Sequence, residues 1–133
     1  MATSKTVISW ILRLVAAVIM VQSLFFKFSG AEESVYIFST LGLEPWGRIG
    51  TGVVELVAAI MLIIPRVTWL GALLGMGTMT GAIFSHLTKL GIEVKADGGQ
   101  LFLYAVVTWL CCGALLLIER QRIKTFLSLT FSK

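Results

Sequence analysis

Arg13 and Glu55 each stand inside a long apolar run, in LRLV and GVVELVAAIMLIIPR respectively. An ionisable side chain in hydrocarbon is costly, so such residues pair, face other helices or mark a site. Lys27 closes the first run, His86, the only histidine, closes another, and Gln100 and Tyr104 open a polar line on the last. Two kinds of chemistry suit these residues. The first is an intramembrane ion pair between Arg13 and Glu55 joining the first two helices. At 1.5 Å rise per residue, Glu55 lies about 12 Å below the surface at Gly47 and Arg13 about 21 Å below Lys27, a gap an arginine side chain spans in large part. Competing readings are an Arg13 that snorkels to the nearer surface and a neutral Glu55 hydrogen-bonded to Thr51 or a neighbouring helix. The second kind is a pocket open to the extracytoplasmic half, lined by Lys27, Glu55, His86, Gln100 and Tyr104. A few polar groups in an apolar cavity suit a quinone headgroup or another small polar ligand, and a histidine carries protons near neutral pH. The plainer alternative for His86 is an interfacial, hydrogen-bonded residue at a helix end. No nucleophile with an adjacent base is present, so no catalytic residue is assigned, and no set of metal ligands is expected.

These residues need helices that cross a bilayer. The 133-residue chain is 57% hydrophobic and only 14% charged, with mean hydropathy +0.93, whereas soluble domains are about 25% charged. A water-soluble globule is excluded on that basis. The net charge of +4 does not point to nucleic acid, because the basic residues flank apolar runs, where they set orientation. Cys111 and Cys112 are adjacent, which is neither a C-x-x-C pair nor, with one histidine, a zinc site. They read as small packing residues. The apolar stretch 7–26 is longer than a signal core and is interrupted by Arg13, so an uncleaved anchor is expected.

Spans are expected at about 7–28, 47–64, 67–87 and 100–118, followed by a basic tail, 119–133. A bilayer crossing needs about 20 apolar residues. In the first span Arg13, Ala16, Ala17, Met20, Ser23 and Lys27 share a small and polar side, opposite Leu12, Val15, Ile19 and Phe26. In the second, Gly47, Gly50, Thr51, Val54, Glu55, Ala58 and Ala59 share a side, with Val53, Leu56, Ile60 and Ile63 facing lipid. Pro65 ends that helix. In the third, Gly71-x3-Gly75 and Gly77-x3-Gly81 are patterns that permit close helix crossings, and Thr78, Ala82 and His86 follow at steps of four. Gln100, Tyr104, Thr108 and Cys111 form the polar line of the fourth. Between the first two spans, Ser29 and Glu32 have capping-box spacing and Gly42 is a stop, so a short helix at the membrane surface is expected, anchored by Tyr36 and Trp46. Asp97, Gly98 and Gly99 supply turn chemistry before the fourth span.

The sequence therefore predicts an all-α membrane protein: an antiparallel bundle of four transmembrane helices with a short interfacial helix after the first span, forming a single domain over 1–133. Lys5, Arg66, Arg120, Arg122, Lys124 and Lys133 fall on the terminal side, against Lys27, Arg48, Lys89 and Lys95 on the other. That bias favours cytoplasmic termini in a plasma (inner) membrane.

The segments LRLV, FKFSG, LGLEPW, GVVELVAAIMLIIPR and GALLGMGTMTGAIFSHL, in this order and spacing, resemble the DoxX-like membrane proteins. The resemblance implies a four-helix membrane bundle and brings over Arg13, Lys27, Glu55, Pro65 and His86. Relatives in that family include a subunit of a thiosulfate:quinone oxidoreductase, membrane partners of redox or detoxifying enzymes and, more distantly, an animal assembly chaperone for receptor channels. What this implies first is an accessory or assembly subunit of a redox-related membrane complex, with a membrane protein or a second copy as partner. The alternatives are a quinone-linked oxidoreductase subunit and a small-solute transporter. Against transport, four short helices enclose little volume and no discontinuous helix pair is present.

Overall fold

A computed structural model describes residues 2–131; Lys133, counted in the basic tail, lies outside the described residues. The elements are α1 (Ala2–Phe28), α2 (Glu32–Thr40), α3 (Trp46–Ile63), α4 (Thr68–Ser85), α5 (Gln100–Ile118) and α6 (Arg120–Phe131), with no strand among the described residues. Among the described residues, four helical stretches are long and apolar enough to cross a membrane: Ser4–Ser29, Trp46–Ile63, Pro65–Leu90 and Gln100–Ile118. The first helix begins earlier than the apolar run suggests, at Ala2. The expected tail forms a helix of its own, α6, with no buried residue.

α1 packs against α3 and α5, and α4 packs against the same two helices, so the four long helices close a ring. Its interior is built from small residues. Ala16, Ala58, Ala72 and Cys112 are fully buried, whereas large apolar residues such as Val18, Phe25, Leu110 and Leu117 point outward and are exposed. That distribution would be a liability in water. In a bilayer it is favourable, because small residues let backbones approach while large ones meet acyl chains.

α4 comes close to the α3 backbone at Gly71, where a Cβ would lie 2.8 Å from Ala58 O and Leu62 N. Gly75 does the same work against α5, 2.9 Å from Cys112 Sγ, so the cysteine is a packing residue. The second glycine pattern differs: nothing lies within 4 Å of a Cβ at Gly77 or Gly81; both are exposed, and Gly81 opens onto a cavity between the helices. Gly50 and Val54 are also exposed; Gly52, Glu55, Ala58, Ala59 and Leu62 form the buried side of α3. Leu12 packs against the core and Ile19 is half-buried, so neither is a purely lipid-facing residue.

The connections are short and hydrogen-bonded. Pro65–Val67 forms one 3-10 turn, and the Thr68 hydroxyl donates to Leu62 O (3.2 Å) and Ile64 O (3.0 Å), satisfying carbonyls left over at the end of α3. α2 starts at Glu32 after Ala31, with no side-chain cap. The Ser29 capping box does not form because Ser29 N–H still bonds to Phe25 O as the last turn of α1. Gly42, at φ +74, follows the end of α2 as expected. Arg48 bonds Glu44 at 2.9 Å and also donates to Lys27 O, tying the start of α3 to the end of α1.

Candidate functional site

One cavity of about 420 Å³ opens between α1, α3, α4 and α5, under α2. Lys27, Glu55, His86, Gln100 and Tyr104 all line it, together with Ser23, Thr51 and Thr78. Its remaining wall is largely apolar, with Ile19, Met20, Phe26, Phe38, Met79 and Leu101 among the lining residues.

Glu55 is 3% exposed and its partner is Lys27, whose Nζ lies 3.2 Å from Oε2. The Ser23 hydroxyl sits 2.9 Å from the same oxygen and 2.8 Å from Met20 O, and Lys27 Nζ also donates to Ser23 Oγ at 3.2 Å. Glu55 Oε1 makes no hydrogen bond among the described residues. A helical Cα–Cβ bond tilts toward the N-terminus, so Lys27 reaches back one turn, into the bundle, toward Ser23 and Glu55.

That tilt also explains why the expected Arg13–Glu55 ion pair does not form. Arg13 leans away from Glu55, toward the N-terminal end of α1, and its Nη2 lies 3.6 Å from Glu119 Oε1. Helical rise alone measures the gap between Cα atoms but not the direction in which each side chain spans it. Arg13 is absent from the lining of the large cavity and lines a smaller recess with Glu119. Glu119, placed in the tail from the sequence, is the acid that sequence reasoning missed. Its position directly after an apolar run was the available signal.

His86 is 5% exposed. Its Nδ1 lies 2.9 Å from Gly91 O. A carbonyl only accepts, so Nδ1 carries a proton in this contact; in the neutral tautomer that leaves Nε2 as an acceptor. The contact depends on the π-helical turn His86–Leu90, which Gly91 ends at φ +80. Phe102 meets the ring edge-to-face at 5.6 Å. On α5, Gln100 Nε2 donates to Tyr104 Oη at 2.7 Å. Because the phenol oxygen already accepts, its O–H is available to donate.

The loop before α5 is held by Asp97. Its Oδ1 accepts from Val94 N (3.0 Å) and Gly99 N (2.8 Å), and its Oδ2 accepts from Leu101 N at 3.2 Å. Partial burial pushes the carboxyl up, but the three N–H donors outweigh it and, with His86 nearby, hold Asp97 below the usual carboxylate range. Lys95 reaches across to Glu32 (3.6 Å) and over the Tyr36 ring (4.8 Å), which fastens this loop to α2 at the cavity mouth.

Four apolar helices around a cluster of ionisable groups define an integral, multi-pass membrane protein. The DoxX family model matches residues 8–89, more than half of the chain, and the protein belongs to the DoxX family. The match takes in Lys27, Glu55 and His86, while Gln100 and Tyr104 lie beyond it. No curated protein and no solved structure matches the chain.

Proposed function

We propose that the protein is a membrane subunit of a redox-related complex that holds a small amphipathic ligand with a carbonyl-bearing head, of the quinone class, in the cavity between its helices. The observation that carries this reading is the cavity itself. Ligand sites commonly have volumes of about 300–1,000 Å³ with mostly apolar walls and a few placed polar groups, and the 420 Å³ space has that character. The residues fit such a head. Lys27 and the Tyr104 hydroxyl are donors for carbonyl oxygens, and His86 Nε2 is an acceptor for a ring hydroxyl. A quinone supplies reversible electron and proton uptake when bound. The chain's part is to orient the head, to exclude water with Phe26, Phe38 and Leu101, and to hold a proton at His86 Nε2.

This reading includes an antiparallel four-helix arrangement, with α2 lying at the membrane surface, both termini cytoplasmic and the whole chain one domain in a plasma (inner) membrane. The short turn at Pro65–Val67, the exposure of Tyr36 and Trp46 and the bias of basic residues support it.

A second reading, an accessory or assembly subunit, is favoured by one feature: Gly77 leaves an exposed, empty spot on α4, the kind of surface a partner helix packs on.

Thermal unfolding in detergent with and without a soluble short-tailed quinone tests the first reading. A saturable rise in the unfolding temperature is expected, and it is lost in Tyr104→Phe combined with His86→Ala. An unchanged unfolding temperature across a series of quinones would reject it. For the second, Gly77→Leu leaves the isolated protein folded and removes a co-purifying membrane protein; retention of that protein would reject it.

A further inference from the structure

The opposite end of α1 carries a second group of polar atoms that the large cavity does not use. Lys5, Ser9 and Arg13 follow at steps of four and so share one helix face, where with Thr6, Trp10, Ile118 and Glu119 they line a recess of about 220 Å³. Arg13 is 6% exposed and Ser9 5%. Arg13 Nε and Nη1 and Ser9 Oγ are buried without a hydrogen-bond partner among the described residues. Buried donors in that state are costly, and the two side chains that carry them line one recess.

The acid already present does not answer them. Glu119 meets Arg13 only through Nη2, at 3.6 Å, and its other oxygen is taken by Arg122 Nε at 3.2 Å. One carboxylate is thus shared by two guanidinium groups, and with Lys5 the cluster remains net positive. The Trp10 ring lies 4.4 Å from the Arg13 guanidinium carbon and covers its face, leaving the edge to bond in-plane. In-plane guanidinium N–H groups and a hydroxyl are donors that suit a tetrahedral oxyanion.

We propose that this recess binds a phosphate-type oxyanion, carried either by the headgroup of an anionic phospholipid or by a free phosphate. The Arg13 guanidinium donates to one of its oxygens, Ser9 Oγ donates to another and Lys5 closes over it. A basic recess between helices on the side facing anionic lipid is where a headgroup would enter.

The test uses the full chain, delipidated in a neutral detergent, with tryptophan fluorescence and unfolding temperature as readouts. One arm titrates inorganic phosphate against chloride at equal ionic strength. The other titrates short-chain phosphatidylglycerol against phosphatidylcholine. A saturable response is expected to phosphate or to phosphatidylglycerol and not to its control, and the arm that saturates identifies the source. Arg13→Lys keeps the charge but not the fork, and is expected to weaken binding about tenfold. Ser9→Ala removes one donor and weakens it about threefold. Glu119→Gln removes the competing acid and tightens binding at least twofold, whereas an Arg13 that served only to pair with Glu119 would show no such gain. The proposal fails if neither arm saturates, or if Ser9→Ala and Glu119→Gln both bind as the wild type does.

Discussion

Replacing Lys27 with methionine strands Glu55 in the bundle with the Ser23 hydroxyl as its remaining partner. The two partners differ in how far they are enclosed, with side-chain exposures of 14% for Lys27 and 4% for Glu55. Removing one member of a buried pair costs about 3–5 kcal/mol because the other is left uncompensated. The larger cost falls on Lys27→Met, since Glu55 is the more enclosed of the two partners. Glu55→Gln costs less, about 1–2 kcal/mol, because the lysine stem can swing its ammonium outward to the interface. At roughly 3 °C per kcal/mol for a chain of this size, Lys27→Met lowers the unfolding temperature by about 9–15 °C and Glu55→Gln by about 3–6 °C. Replacing both, as Lys27→Met with Glu55→Leu, removes the desolvation cost along with the attraction, and such replacements are commonly neutral or stabilising. The double variant should therefore melt no lower than the wild type while losing ligand-dependent stabilisation. Unfolding followed by tryptophan fluorescence in detergent measures all three. The reasoning is refuted if Glu55→Gln costs as much as Lys27→Met, or if the double variant is the least stable of the set.

Other expectations follow from the packing and the loop. Gly71→Ala sets a methyl 2.8 Å from the backbone atoms Ala58 O and Leu62 N, which cannot yield, and should cost about 1–3 kcal/mol; Gly77→Ala, which meets open space, should be neutral or stabilising by up to about 1 kcal/mol. Equal unfolding temperatures for the two variants would contradict the α3–α4 crossing. Asp97 titrates below its unfolded value, so its contribution is present above that value and is lost as pH falls through the lower folded one. Amide exchange at Val94, Gly99 and Leu101 should accelerate as pH drops below about 4, beyond the intrinsic pH dependence of exchange, and in Asp97→Asn the acid-side change should disappear.

Much of this architecture is legible in the residues. The four apolar runs locate the spanning helices, and the 3.6-residue period puts Ala16, Ala17, Met20, Glu55, Ala58 and Ala59 on inward faces, where they are buried. Lys27, Glu55, His86, Gln100 and Tyr104 were grouped from span order and depth, and they line one cavity. Period and rise place Cα atoms along a helix; they do not give the reach and direction of long side chains, and so Arg13 was assigned to Glu55 when it leans the other way to Glu119. Nor does a glycine pattern say whether a neighbour is present, which is why Gly71 and Gly75 pack closely while Gly77 and Gly81 meet nothing. The contact from His86 to Gly91 O rests on a π-helical turn, a local departure from regular helix for which the sequence carries no periodic signal.

Photo-crosslinking with a quinone that carries a reactive group on its ring tests the reading of the cavity most directly. Adducts mapped by mass spectrometry are expected on peptides around Ser23–Lys27, His86 and Tyr104, to be displaced by unlabelled short-tailed quinone and to be absent from the Lys27→Met, Glu55→Leu double variant. Labelling spread over the outward-facing surfaces at Val18, Leu110 and Leu117, and undiminished by competitor, would show that quinone only dissolves in the surrounding lipid and that the cavity is not its site.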